Sequence, residues 1–373
     1  MNRTFDVAIA GGGIVGAACA AECARAGMSV ALVERELVGS GATAAGMGHI
    51  VVMDDSAAQF ALTRFSQRLW HEMSAELPSM VEFEPTGTIW VAADDDEMVE
   101  VRRKHEYYAA RGVRTEILDQ HSLREAEPNL RLGLAGGLLA PEDAVVYPPC
   151  AALYFWKRAR DAGATLISGT VAKLEAGSLQ LAEGTVIAAG VTVNAAGARA
   201  SELTAGVKIR KRKGHLLITD RYPEFVRHQL VELGYLKSAH SVTSDSVAFN
   251  VQPRRTGQLL IGSSRQYDNE SKNIDHDILQ RMLERACAFM PGIGPLSSIR
   301  AWTGFRAATP DKLPLIGPWP ESPGLFLATG HEGLGITTSL ATARLLVDQI
   351  AGRPSEIAIQ PYLPSRSFTE SHV

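Results

Sequence analysis

The most constraining feature of the chain is Gly11-Gly12-Gly13-Ile14-Val15-Gly16, which reads G-x-G-x-x-G. An apolar run, Asp6 to Ala10, precedes it and predicts a buried strand. A small-residue helix follows, from about Gly13 to Ala26, stopped by Gly27. A second apolar run, Ser29 to Val33, ends at Glu34. Strand, turn, helix and strand in that order predict the βαβ unit of a parallel sheet. In that context the glycines form a dinucleotide-binding fingerprint. Gly11 permits the tight turn, Gly13 lets the backbone approach a pyrophosphate, and Gly16 lets helix and strand pack closely. The start of the helix, at Ile14 and Val15, offers free N–H groups and a positive dipole end to phosphates. Glu34, 23 positions after Gly11, is placed to accept hydrogen bonds from an adenosine ribose and to repel a ribose phosphate. The bland alternative is a glycine-rich turn with no ligand.

At 373 residues the chain is too long for one simple core and suits two interleaved domains. A hydrophobic fraction of 46% with 21% charged residues is an ordinary globular mixture, and a net charge of −4 favours neither nucleic acid nor an anionic membrane. The four cysteines, Cys19, Cys23, Cys150 and Cys287, form no CxxC pair and no metal-type spacing. Cys19 and Cys23 read as packed small residues on one helix, and sparse cysteine suits a reducing cytoplasm. Arg3 before an apolar stretch resembles a signal peptide, but Gly11 to Gly13 interrupt the stretch and Glu22 and Arg25 follow it. No run reaches the roughly 18 apolar residues of a membrane span.

Further along, apolar residues between Glu82 and Val91 suggest strands, and a charged helix is expected over about Asp94 to Arg111, its acidic run Asp94-Asp95-Asp96-Glu97 at the favourable end. Tyr147 to Gly163 reads as a helix with Pro at its start and Gly at its end. Strand-like runs follow at Thr165 to Ile167 and Val191 to Asn194. The stretch from Lys213 to Gly262 reads as β-rich, with alternation through Val247 to Gln252 and Pro253 ending that strand. A helix is expected over about Asp275 to Phe289, a strand at Leu325 to Thr329, and a last helix over Ile336 to Ala351, closed by Gly352 and Pro354. The tail after Pro361 reads as loosely ordered. The basic run Lys208, Arg210, Lys211, Arg212, Lys213 reads as a solvated loop where the chain crosses between domains, or as a docking surface for a partner subunit.

The fingerprint alone does not choose between NAD and FAD. A second small-residue loop, Gly39 to His49, follows the acid and favours the longer cofactor, with Gly41, Ala42, Ala45, Gly46, Met47 and Gly48 giving close backbone approach and Thr43 a hydroxyl for phosphate. A third element is Val193-Asn194-Ala195-Ala196-Gly197, a strand ending in small residues. The fourth is Gly330-His331-Glu332-Gly333-Leu334-Gly335-Ile336-Thr337, a glycine turn opening the last helix, whose N-terminus can stabilise charge on a flavin's N1–O2 edge.

These four elements, in this order, resemble the D-amino-acid oxidase family, which includes glycine oxidase and sarcosine oxidase, over nearly the whole chain. Gly41 to Ile50 and Gly330 to Ile336 are similar to the flavin subunits of multi-subunit amine dehydrogenases, such as the D-hydroxyproline dehydrogenase β subunit and the flavoprotein of hydrogen cyanide synthase. The resemblance implies an α/β fold: a discontinuous Rossmann-type FAD-binding domain (1–85, 146–214 and 300–373) with a second, β-rich substrate domain (86–145 and 215–299). It implies oxidation of an amino or imino acid to an imine, with oxygen, a quinone or a partner subunit as acceptor. No catalytic dyad is required, because the free amine can pass hydride directly to the flavin while the protein supplies alignment. Arg35 and Val171 join the cofactor-binding candidates on the same ground, and no metal is expected.

The family holds a substrate carboxylate with an Arg just before a T-P-D turn, and Arg306 precedes Thr309-Pro310-Asp311. A guanidinium is a planar, bidentate partner for a carboxylate, although an ion pair with Asp311 is the structural alternative. Asn250 and Gln252 share one face of their strand, where relatives place a substrate-contacting Tyr. They bind substrate or line a solvated face. His49 is a candidate to sit over the flavin, or a packed histidine, and Tyr235 is a further pocket candidate. Monomeric sarcosine oxidase-like enzymes attach flavin through a Cys two residues before the Arg306 position. Gly304 stands there, so non-covalent FAD is expected.

Overall fold

The computed structural model describes residues 4–234 and 245–368. In chain order the strands are β1 (Thr4–Ala10), β2 (Val30–Glu34), β3 (His49–Ile50), β4 (Thr88–Ala92), β5 (Glu116–Asp119), β6 (Gly136–Ala140), β7 (Ala144–Val145), β8 (Thr165–Ser168), β9 (Val171–Glu175), β10 (Ser178–Leu181), β11 (Val186–Asn194), β12 (Arg210–Arg221), β13 (Gln229–Glu232), β14 (Ser246–Pro253), β15 (Gln258–Arg265), β16 (Ser298–Ala308), β17 (Leu315–Pro318) and β18 (Leu325–Thr329). The helices are α1 (Ile14–Arg25), α2 (Ala57–Met73), α3 (Asp95–Ala109), α4 (Gln120–Ala126), α5 (Pro148–Asp161), α6 (Ala200–Leu203), α7 (His276–Phe289) and α8 (Gly335–Ile350). They fall into two compact units: Met1–Val81, Tyr147–Lys211 and Phe305–His372 in one, and Glu82–Val146 and Arg212–Gly304 in the other.

The first unit is built on a sheet in the order β17-β18-β11-β1-β2-β8, with β10 and β9 branching from β11. β1 lies parallel between β11 and β2. Such strands are covered on both faces, which is why Val30 to Val33 is an unbroken buried apolar run. α1 carries small residues throughout, and Ala17, Cys19, Ala20 and Cys23 are fully buried where it packs against α5 and α8.

The second unit holds a sheet in the order β16-β12-β15-β14-β13-β4-β6-β5. One face carries Ile89, Val91, Leu230, Phe249, Val251 and Ile261 into a core shared with Met282, Ala286 and Phe289 of α7. The Phe249 and Phe289 rings stack at 4.6 Å. Asp275 caps α7 by accepting from the Ile278 N–H, and Asp94 caps α3 from the Glu97 N–H, so the acidic run does open its helix.

Three features differ from the sequence reading. Helix α2 was not anticipated, because Gln59, Thr63, Ser66 and Gln67 occupy buried positions and break the apolar period. The basic run is not a solvated loop. Arg210 to Lys213 lie in β12, Lys213 is 1% exposed and donates to Asn273 O at 2.7 Å, and Arg212 donates to the Tyr267 hydroxyl. Nor is the tail loose as far as Phe368. Tyr362 is buried with its hydroxyl on Ala58 O, and Arg366 is fixed by the contacts described below.

Candidate functional site

The glycine turn is tightly built. Gly11 has φ +110°, and a Cβ there would fall 2.5 Å from Ala195 O at the end of β11. At Gly16 a Cβ would fall 1.9 Å from Gly11 O, so α1 meets the turn at a distance only glycine allows. Glu34 folds back over this turn, its Oε2 accepting from the Gly12 N–H at 2.6 Å and its Oε1 from the Glu36 N–H at 2.8 Å. A carboxylate has about four lone-pair sites, so acceptor capacity remains. Arg35 is exposed beside it, paired to Glu36. No side chain at the Gly13 cap position closes α1; instead Thr43 Oγ1 accepts from the Ile14 N–H at 3.0 Å, which leaves the Thr43 hydroxyl hydrogen able to donate to another group. Behind the turn, Asn194, which the sequence placed only as part of a strand end, has a structural role for its side chain. It donates to Ala200 O and Thr204 Oγ1, accepts from the Ala196 N–H, and so sets the path of Ala195, Ala196 and Gly197. Val171 is buried in the core beside β1 and β2.

The second cluster gathers at the start of α8, whose N-cap, Leu334, makes no side-chain cap. The turn before it is pinned to the strand carrying Arg306 by the Glu332 N–H on Ala307 O at 2.8 Å, with Glu332 held at φ +55°. The Arg306 side chain runs along Gly333, its Cδ and Nε both 3.7 Å from where a Cβ would stand. Gly46 meets Ile336, and Thr337 Oγ1 donates to His49 O at 2.7 Å while Trp70 Nε1 donates to Thr337 O. Loop 41–49, the α8 turn around Gly330 to Thr337, and Arg306 are therefore neighbours. His49 Nε2 is buried and has no hydrogen-bond partner among the described residues. Burial, together with the Arg306 charge, lowers its pKa to about 3, so the ring stays neutral.

The suggested pairing of Arg306 with Asp311 is corrected. Asp311 is engaged by Arg366, Nε to Oδ2 at 2.7 Å and Nη2 to Oδ1 at 2.9 Å. Asn250 and Gln252 are not on a solvated face either; they are 6% and 0% exposed in the second unit. Tyr235 lies outside the described residues. A groove of about 410 Å³ lined by Ala18, Glu22, Arg25, Leu69 and Arg344 lies on the helices and shares no residue with the glycine turns. Among the described residues no cluster of His, Cys, Asp or Glu could hold a metal, and no helix is long and apolar enough to cross a membrane. The glycine cradle with the Thr43 hydroxyl at the start of α1, the start of α8 without a side-chain cap and the orphaned His49 Nε2 fit a flavin dinucleotide.

Residues 6–349 match the family described as FAD dependent oxidoreductase, DAO. The chain belongs to that family. It is an FAD-dependent oxidoreductase with the two-domain fold of its relatives. Glycine oxidase of Geobacillus kaustophilus is 28% identical over 98% of both chains, and the hydrogen cyanide synthase subunit HcnC of Pseudomonas aeruginosa is 28% identical over 98% of this chain and 97% of its own. The crystal structure of the Geobacillus kaustophilus glycine oxidase superposes with a TM-score of 0.87 at 27% identity, covering 98% of this chain and 99% of that one.

Acid sensitivity follows from two histidines. His331 is buried with its Nε2 2.9 Å from Thr342 Oγ1, and burial lowers its pKa to about 3, as for His49. An unfolded histidine titrates near about 6.5. Between those values the unfolded chain takes up protons that the native chain refuses, so stability is present above about pH 6.5 and is lost as pH falls toward 3. The urea midpoint of the FAD-bound protein should therefore fall between about pH 7 and pH 5. His331→Gln should make the slope shallower. Equal slopes in the two proteins would show that His331 takes up its proton without unfolding.

Proposed function

We propose that this chain oxidises the C–N bond of a small amino acid or secondary amine to an imine, which water then hydrolyses. The observation that carries the reading is Arg306 lying along Gly333 at the uncapped start of α8. There a guanidinium can hold a carboxylate in two-point contact and fix the angle of the reacting Cα–H. Bound FAD would supply the two-electron acceptor. The first unit serves as the FAD-binding domain and the second as the substrate domain. Gly11 to Gly16 and Thr43 take the pyrophosphate, Glu34 and Arg35 the ribose side, and Val171 with Ala195 to Gly197 the adenosine side. Loop 41–49 and Gly330 to Thr337 hold the ring system, with the α8 dipole toward its negative edge. FAD is held non-covalently, and the sparse cysteines, all free, suit a cytoplasmic enzyme.

The test is a screen of D-amino acids and N-alkyl glycines with oxygen and with an artificial dye acceptor. We expect yellow protein that releases intact FAD on denaturation, and bleaching of the flavin by at least one of these compounds without oxygen. Protein that binds FAD but is reduced by none of them would overturn the reading. The likeness to HcnC, itself a subunit, favours a second arrangement in which a partner chain takes the electrons. Turnover with dye but not with oxygen would support it.

Glu34→Ala should weaken FAD binding by about 10-fold to 150-fold, the value of a hydrogen bond to a charged group at roughly 1.5–3 kcal/mol. Because Glu34 also holds the Gly12 N–H, Glu34→Gln is the needed companion: it keeps an acceptor for the turn and removes the charge. A dissociation constant for FAD unchanged in both variants would take Glu34 out of the site.

A further inference from the structure

Three side chains of α2 with polar atoms form one buried stripe. Thr63, Ser66 and Trp70 are spaced i, i+3 and i+7, and all three are 0% exposed. Each holds a backbone group of α8 or of the segment that continues loop 41–49. Thr63 Oγ1 accepts from the Met53 N–H at 3.1 Å, just past β3. Ser66 Oγ accepts from the Ala341 N–H at 3.2 Å, and Trp70 Nε1 donates to Thr337 O at 3.1 Å. Thr337 O and the Ala341 N–H are four residues apart, the two groups that one turn of α-helix joins. Thr337 Oγ1 closes the circuit by donating to His49 O at 2.7 Å. All of these residues belong to the first unit.

Apolar contact alone would hold α2 against α8, but it is non-directional and leaves the two free to slide. Hydrogen bonds are directional and fix where one helix stands on the other. That matters at the start of α8. The field of a helix terminus falls off within one turn, so the charge it stabilises depends on where that turn stands. Dipoles held in place beforehand stabilise developing charge without reorganising. We propose that Thr63, Ser66 and Trp70 are positioning residues for the flavin: through Met53, Ala341 and Thr337 they fix the start of α8 and loop 41–49 against each other, and so set how strongly reduced flavin is preferred over oxidised. The inference rests on the placement of the ring system proposed above, and not on which amine is oxidised.

The test is the midpoint potential of bound FAD, measured in the holoenzyme against reference dyes, and it needs no substrate. Trp70→Phe keeps a ring beside Phe155, whose centroid is 5.4 Å from that of Trp70, and removes the N–H; Ser66→Ala removes the acceptor. Each should weaken the preference for reduced over oxidised flavin by about threefold to tenfold. That lowers the potential by about 14–30 mV, at roughly 29.6 mV per decade for a two-electron couple. Ser66→Thr keeps the hydroxyl and should stay close to the parent. Phe65→Leu disturbs the buried packing of α2 but removes none of these hydrogen bonds, so it should melt lower and keep the parent's potential. Parent-like potentials in Trp70→Phe and Ser66→Ala, with lowered melting, would make the stripe structural only and overturn the proposal. A shift in Phe65→Leu as large as theirs would do the same. Gly333→Asp adds a negative charge at the turn before α8 and should also lower the potential. If it does not, the ring lies elsewhere, and its placement and this inference fall together. A chain that shows these shifts but oxidises no amine would sink the reaction proposed above and leave the stripe standing.

Discussion

Replacing Arg306 by Leu is expected to leave FAD bound, with its spectrum intact, and to lower kcat/KM for the amino-acid substrate by about 2–5 kcal/mol. That is about 30-fold to several thousand-fold at roughly 1.36 kcal/mol per decade. The size follows from what is lost: one partner of a buried charge pair, and with it the alignment that turns a collision into a near-attack geometry. Arg306→Lys should recover only part, since an ammonium cannot make the planar two-point contact. The effect should be confined to substrates with a carboxylate, so a simple amine, if accepted at all, would show little difference between parent and variant. Parent-like turnover of an amino acid by Arg306→Leu would place the carboxylate elsewhere. Loss of FAD or of the fold would make Arg306 structural, through a partner other than Asp311, which is bonded twice by Arg366.

What could be read from the sequence was what local chemistry writes into consecutive residues. The turn at Gly11 to Gly16 is legible because each glycine answers a steric demand made within a few residues or by the adjoining strand end. The acidic start of α3 and the Pro-led start of α5 are legible for the same reason. What failed was whatever depends on distant partners. Lys213 looks like a solvated cation until Asn273 O is brought to it by the sheet. Helix α2 hides because its buried Thr63 and Ser66 bond to backbone, as with the Ala341 N–H on Ser66 Oγ, so that polar residues stand where apolar ones would have shown the period. Thr88, Gln229 and Gln252 stand opposite one another on three strands, and only ladder register joins them. Asn250 and Gln252 were visible as one face of one strand, but nothing local says whether that face meets water.

The same distinction between local and distant partners yields the sharpest stability expectation, at Arg366. Its guanidinium makes both bonds to Asp311 and also donates to Leu313 O, Pro314 O and Leu363 O, with side-chain exposures of 9% for Arg366 and 11% for Asp311. It therefore ties the C-terminal segment to the turn Thr309-Pro310-Asp311 that follows the Arg306 strand. Removing one partner of a buried pair leaves the other charge uncompensated, at about 3–5 kcal/mol. Arg366→Leu should lower the denaturation midpoint of the FAD-bound protein by that order. Removing both charges, Arg366→Leu with Asp311→Leu, should cost less than the single change, because no lone buried carboxylate is left behind. Kinetics separate the two arginines. At a temperature where Arg366→Leu stays folded, its loss of kcat/KM should be small beside that of Arg306→Leu, whose midpoint in turn should lie near the parent's. If Arg366→Leu keeps the parent's midpoint, the pair is not a structural clasp. If it instead loses turnover of carboxylate substrates at full stability, the clamp assigned to Arg306 belongs at least in part to Arg366.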